Sequence, residues 1–331
     1  MKKVISIVLV LAMVLAFAAC GSSNSGSSSG SAPAAPEVKK DLVFGTGGEA
    51  GTYYAYGTVL AQYVTNNTDL SVTAISSGGS KSNIEDIDAG DVQLGFTQSD
   101  VMSYAYNGTS LFTEKVGSFS AVCALYMEDV QIVTCDPSIK TVADLKGKTV
   151  SVGAQGSGTY FNAVDVLGVY GLDVEKDITP VYQSFGDSTE SLKDNKIDAA
   201  FVVAGAPTPS ITELCTTKQA YIVSLDQEHI DKLIQISPYY AQDTIAASLY
   251  GTDADAETVA VAAMVIVSDD IDETVVYDFI STIFNNKAAI SDAHAKGQAL
   301  DLAFASSVTA VPFHAGAAKY FAENGITVKT K

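Results

Sequence analysis

Two short segments hold the residues best suited to chemistry in this chain, and they repeat one another at an offset of 107 positions. The first is Gly45-Thr46-Gly47-Gly48-Glu49-Ala50-Gly51-Thr52-Tyr53-Tyr54; the second is Gly153-Ala154-Gln155-Gly156-Ser157-Gly158-Thr159-Tyr160-Phe161. Gly51 matches Gly158, Thr52 matches Thr159, and Tyr53 matches Tyr160; further on, Ser77 matches Ser184 and Asp91 matches Asp198. Each segment follows a strand-like apolar run and opens a helix-like one. A helix N-terminus presents unpaired N–H groups and the positive end of the helix dipole, so a glycine-rich turn at that point receives anions. The hydroxyls of Thr46, Thr52, Ser157 and Thr159 add hydrogen-bonding capacity, and Tyr53 and Tyr54 offer rings to stack and phenols to bond. Gly156 lets the backbone itself approach a ligand.

Other candidates stand at the ends of neighbouring elements. Ser80 opens a helix-like run after Gly78-Gly79, where its N–H and hydroxyl suit a carboxylate, and Asn83 lies one turn on. Gln98 and Ser99 follow a strand, at the end where open α/β sheets place their ligands. Gly205 and Pro207 occupy the matching rim of the second half. All nineteen basic residues are Lys, with no Arg anywhere. A bidentate guanidinium clamp is therefore excluded, and an anion must be held by N–H groups, hydroxyls, amides or Lys. His229, His294 and His314 lack ligand spacing and no CxxC occurs, so neither a metal nor a cofactor is expected. Cys123 and Cys135 are either a disulfide or two buried thiols, with Cys215 left over.

The N-terminus reads as an export signal. Met1-Lys2-Lys3 precedes an apolar run of residues 4–19, and Ala18-Ala19-Cys20-Gly21 resembles a lipoprotein cleavage site with Cys20 as the lipidated residue. Phe17 departs slightly from that pattern. Residues 1–19 are thus the signal, and residues 20–40, rich in Ser, Gly, Ala and Pro, are a tether from a lipid anchor, with a reach of roughly 25 Å. The body of the chain is expected outside the cytoplasmic membrane, which removes DNA, ATP and NAD as partners. Its formal charge of −19, or −21 without Lys2 and Lys3, also repels nucleic acid. A monomer is expected.

The remaining residues alternate strand and helix patterns, which indicates an α/β fold with mainly parallel sheets. Strands are predicted over 71–75 and 92–96 with helices over 80–89 and 99–106; the second half repeats this with strands near 179–182 and 197–203 and helices over 188–195 and 209–215. Extended runs 120–126 and 130–135 join the halves, and 244–250 and 259–267 return. Helices over 274–285, 287–296 and 315–322 close the chain. The expected organisation is a first lobe over 41–126, a second over 127–243, and a return to the first over 244–331, with a ligand cleft between the lobes.

This pattern resembles the TAXI family, the solute-binding proteins of tripartite ATP-independent periplasmic (TRAP) transporters. The likeness runs from about Leu42 to the end. It rests on Gly45-Thr46-Gly47 with Gly51-Thr52-Tyr53-Tyr54, Ser77-Gly78-Gly79-Ser80 with Asn83, Phe96-Thr97-Gln98-Ser99-Asp100, Asp144-Leu145-Lys146-Gly147-Lys148, the second glycine segment, Asp198-Ala199-Ala200-Phe201, Gly205-Ala206-Pro207-Thr208-Pro209 and Pro238-Tyr239-Tyr240. Pro312-Phe313-His314-Ala315 matches more loosely, and Lys81 stands where family members tend to be apolar. The resemblance implies a type II periplasmic-binding fold, no enzymatic activity, and capture of a small carboxylate, glutamate or 2-oxoglutarate being typical, for a TRAP membrane permease. Two other classes stay open on the residues alone: an extracytoplasmic lipoprotein hydrolase and a passive surface antigen or adhesin. Against the first, Gly156-Ser157-Gly158 lacks the nucleophile-elbow spacing. Against the second, two matched anion-receiving loops have no purpose in a passive protein. The relaxed dinucleotide fingerprint Gly45-x-Gly47-x-x-Ala50 lacks an acidic residue after the next strand, where Ser76-Ser77-Gly78 stands.

Overall fold

In the computed structural model, which describes residues 38–331, the sequence repeat is a repeat of folded units. The signal segment, Cys20 and most of the tether lie outside the described residues. The first unit comprises β1 (Asp41–Gly45), α1 (Thr52–Asn67), β2 (Ser71–Ile75), α2 (Ser80–Asp88), β3 (Leu94–Gln98) and α3 (Ser99–Asn107). A long strand, β4 (Phe119–Thr134), leads to the second unit: β5 (Thr149–Ser151), α4 (Gly158–Val169), β6 (Thr179–Val181), α5 (Phe185–Lys193), β7 (Ala199–Ala204) and α6 (Pro209–Thr217). Next come β8 (Tyr221–Ile222), α7 (Gln227–Ile236), β9 (Ala241–Ile245) and β10 (Ala256–Ser268). The chain closes with α8 (Glu273–Asn285), α9 (Lys287–Ala293), α10 (Leu302–Ala305) and α11 (Ala315–Glu323).

β1 lies between β2 and β3 and is parallel to both; β5 lies in the same way between β6 and β7. The two parallel triplets join through β10 and β4, giving the order β2-β1-β3-β10-β4-β7-β5-β6. β10 is antiparallel to β3 and β4, and β4 is antiparallel to β7. Among the described residues no helix is long and apolar enough to cross a membrane.

The joining strands differ from expectation in an instructive way. Residues 120–126 and 130–135, read as two runs, are one strand of 16 residues that continues through Met127-Glu128-Asp129. The ladder does not break there because β4 is paired on both edges: with β10 up to Asp129, and with β7 from Asp129 onward. All of β4 except Met127 is buried, as a strand covered on both faces must be. Cys123 lies within β4 and Cys135 just past its end, so roughly 35–40 Å of extended chain separates them, beyond any disulfide. All three described cysteines are free. On the return, 244–250 divides into β9 and a 3-10 turn over Ala247–Leu249, and the helix expected over 287–296 stops at Ala293 before a 3-10 turn over Ala295–Ala299.

Packing follows side-chain periodicity. Helix α1 buries Tyr56, Leu60 and Val64 at four-residue spacing, with Gly57 and Ala61 beside them. Burial of Leu60 or Val64 contributes about 1.5–3 kcal/mol each. Phe44 of β1 stacks on Phe96 of β3 at 4.9 Å and meets Phe279 of α8 edge-on at 6.0 Å. Ile283 and Phe321 join that same core, which places the closing helices on the first unit. In the second unit β7 alternates: Phe201 and Val203 enter one core with Leu167 and Ile230, while Ala200 and Val202 enter another with Ile211 and Leu214.

Candidate functional site

The loops that follow the parallel strands of both units converge on one cavity. Gly47 and Gly48 come from the turn after β1, Ser77 to Ser80 from the turn after β2, and Gln98 from the end of β3. Opposite them stand Ala154, Ser157, Gly158 and Thr159 after β5, Gln183, Ser184 and Phe185 after β6, and Val203 and Ala204 of β7. The strand β4 contributes Glu128. The cavity holds about 570 Å³ of space between atoms, open solvent included. The matched residues Ser77 and Ser184 both line it, so the repeat positions equivalent groups on facing walls.

Hydrogen bonds link the segments that face one another around this cavity. Lys81 and Ser82 donate their backbone N–H groups to the Gly156 carbonyl at 2.9 and 3.1 Å. The Thr52 hydroxyl donates to the Gly205 carbonyl at 2.9 Å, and Lys296 Nζ donates to the Ala206 carbonyl at 2.8 Å. Ser210 N–H donates to the Ala50 carbonyl at 3.3 Å. Deeper, Asn162 Nδ2 of α4 donates to Asp100 Oδ2 of α3 at 2.8 Å and also to the Tyr240 hydroxyl at 2.8 Å.

Of the residues singled out by sequence, Thr52, Tyr53, Ser80, Gln98, Ser157 and Thr159 line the cavity, whereas Thr46, Tyr54, Asn83, Ser99, Gly156, Gly205 and Pro207 do not. Most of the second group have structural partners instead. The Thr46 hydroxyl donates to the Ile75 carbonyl at 2.6 Å. Asn83 Nδ2 donates to the carbonyls of Thr46 and Phe96, both at 2.8 Å, and so fixes the turn after β1 against β3. Ser99 Oγ accepts from Ala262 N–H at 3.1 Å. Pro207 follows a cis peptide bond, and Gly205 lies against the Lys296 side chain. Gly156 has a φ of 84° and gives its carbonyl to α2.

Several lining hydroxyls are also engaged. Ser157 Oγ caps α4 by accepting from Tyr160 N–H at 3.3 Å, and Ser80 Oγ accepts from Gln98 N–H at 3.1 Å. The N-terminus of α2, expected to face a ligand through Ser80, is instead occupied by the Gly156 carbonyl. The helices α1 and α4 are different. No side chain caps α1, so the first-turn N–H groups of Thr52 and Tyr53 have no helical partner. At α4 the Ser157 cap satisfies Tyr160 and leaves Gly158 and Thr159. These two helix ends are the matched pair of the sequence repeat, and both open on the cavity.

Glu128 escaped the sequence reading because an acidic pair between two apolar runs looks like a turn. The signal that would have found it is the strand-like apolar pattern that resumes directly on both sides, Ala121 to Met127 and Val130 to Val133. Its carboxylate is 1% exposed and accepts from the Tyr53 hydroxyl at 2.7 Å. Tyr53 is held for this by stacking on Phe96 at 4.5 Å. Burial pushes the Glu128 carboxyl well above the usual carboxylate range; the Tyr53 hydrogen bond and Lys296 act in the opposite direction. Burial likewise raises Asp100 to about 7, and burial followed by Asp243 raises Asp129 to about 7. Burial lowers Lys296. Lys296 was missed too, because it falls past the true end of its helix. Lys81 pairs with Glu85 on the surface of α2. Among the described residues no group of three or more His, Cys, Asp or Glu is arranged to hold a metal ion.

A family model described as the NMT1-like family matches residues 44–325. Among solved structures, one described as a periplasmic transporter is similar with a TM-score of 0.54 at 12% identity, over 78% of this chain and 87% of that one. An ancestral arginine-binding protein bound to arginine gives 0.52 at 14%, over 78% and 99%. A protein from Bordetella bronchiseptica RB50 gives 0.51 at 15%, over 77% and 76%. At such identities the likeness is one of fold: a type II periplasmic-binding architecture, as the sequence resemblance implied.

Proposed function

The chain belongs to the NMT1-like family, and from that premise we propose that it is a solute-binding protein that captures a small organic acid between its two lobes. The ligand class is a dicarboxylate, an acidic amino acid or a keto acid, bound without chemical conversion. The protein works outside the cytoplasmic membrane, moored through Cys20 and its tether, and hands its ligand to a TRAP-type permease. The observation that carries this reading is the pairing of α1 and α4. Both helices aim uncapped or partly capped first turns at one cavity from opposite lobes, and such ends favour a carboxylate. With no Arg in the chain, these N–H groups, the lining hydroxyls and the Gln98 and Gln183 amides are the available donors. A ligand that bridges the two helix ends has higher affinity for the closed form and so draws the lobes together.

The test is thermal unfolding of the purified protein, first unfolded and refolded to strip bound ligand, against a panel of organic acids and amino acids. A ligand at one hundred times its Kd adds about 2.7 kcal/mol, which raises Tm by a few degrees. A shift confined to one class of acids is the expected result. No shift with any acid contradicts the reading.

A further inference from the structure

The cavity contains an acidic side chain, which a ligand that is only an acid gives no reason for. Glu128 is the one ionisable carboxylate among the described residues that line it, and no Lys or His lines it. A single hydroxyl, that of Tyr53, bonds Oε2; Oε1 has no hydrogen-bond partner among the described residues. Lys296 acts on Glu128 from outside the cavity, but its Nζ donates to the Ala206 carbonyl and lies 5.2 Å from the centre of the Tyr126 ring. Two amides line the same space with oxygens that have no donor, Gln98 Oε1, on a residue 2% exposed, and Gln183 Oε1, and each amide also carries an NH2 donor.

A carboxyl held neutral by burial ionises when a cation comes beside it, whereas a second carboxylate keeps it neutral, and a buried acceptor without a donor costs about 1–3 kcal/mol. The cavity therefore has two chemical characters. N–H donors and positive dipole ends stand at α1 and α4, while surplus acceptors stand at Glu128, Gln98 and Gln183. The amides can serve either kind of ligand, but a dicarboxylate brings no positive charge to Glu128. A molecule with a carboxylate and a primary ammonium satisfies both characters, since an ammonium brings three donors and a cation.

We propose that the ligand is an amino acid, with Glu128 as the counter-charge of its ammonium group and Gln98 as a second acceptor, and that keto acids and dicarboxylates are discriminated against. This rests on the organic-acid reading above and narrows it. Tyr53 positions the Glu128 carboxylate through their hydrogen bond.

The experiment is calorimetric titration of the stripped full chain with matched pairs that differ in the amine: L-glutamate with glutarate and 2-oxoglutarate, L-aspartate with succinate, L-alanine with propionate, L-leucine with 4-methylpentanoate. At least one amino acid should bind about a hundredfold or more tighter than its amine-free partner. Glu128→Gln should remove that preference by weakening the amino acid, and Glu128→Asp, which keeps the charge, should retain its sign. If either variant fails to fold, the wild-type ratio decides. An amine-free acid that binds as well as its amino acid overturns this proposal and leaves acid capture standing. Binding by neither member of any pair overturns both.

Discussion

The Tyr53 hydroxyl donates to Glu128 Oε2 across 2.7 Å and so couples the helix that follows the first glycine turn to the strand that runs through both lobes. The phenol of Tyr53 is itself pushed up well beyond its usual range by burial and then by Glu128, so it stays a donor. The pair sets the polarity of the cavity.

Replacing Tyr53 with Phe keeps the stack on Phe96 and deletes only that donor. The carboxyl of Glu128 then loses its one side-chain partner, which costs about 1–3 kcal/mol. Chemical unfolding at pH 7 should show a loss of that size. An unchanged midpoint would mean that water replaces the hydroxyl at no cost.

Closure depends on the absence of a side chain at Gly158. A Cβ there would fall within the contact shell of Gln98 Oε1 and 2.7 Å from Ser80 Oγ. Overpacking of this kind costs about 1–3 kcal/mol, and it acts on the closed form alone. Gly158→Ala should therefore bind ligand about tenfold or more weakly while its ligand-free Tm stays close to wild type. A large fall in the ligand-free Tm would instead make Gly158 a folding requirement.

Asp100 supplies a pH signature. Its folded value is raised from 3.8 to about 7 by burial, so the folded protein holds a proton that the unfolded chain releases. The stabilisation from this proton is complete below about pH 3.8 and is lost as pH rises to about 7; above that the term is flat. The full excursion is on the order of 4 kcal/mol. Asp100→Asn cannot ionise, and its stability should fall less between pH 4 and pH 7 than that of wild type, with the gap read from unfolding curves at intervals of one pH unit. Parallel curves would show that Asp100 is already ionised in the folded state.

Lys296 ties the closing segment to the second lobe through Ala206. Lys296→Met keeps much of the apolar stem against Tyr126 but removes the donor and the cation that favours ionised Glu128 and Asp129. Affinity for an amino acid should drop about three- to thirtyfold, and the drop should be larger at pH 6 than at pH 8. Equal affinity at both pH values would separate Lys296 from the binding equilibrium.

Much of this was legible because glycine turns and period-2 runs are local signals. The offset of 107 places β1 against β5, β2 against β6 and β3 against β7, and the structure gives each triplet the same parallel pairing. What the residues could not reveal is non-local. Glu128 is kept in a strand by pairing with Val261 of β10, which lies more than a hundred residues away. The hydroxyl of Ser80 looked available because its acceptor role depends on Gln98, eighteen residues on, coming into range. Lys296 reaches Ala206 only after the chain has returned from the second lobe.

The most direct test of capture between the lobes is the calorimetric stoichiometry and affinity of the first ligand found by the thermal screen, measured on wild type and Gly158→Ala side by side. One ligand per chain, with affinity at least about tenfold weaker in the variant, is the result expected if the cavity between α1 and α4 is the binding site. One ligand bound equally well by both proteins would place the site elsewhere and contradict the account.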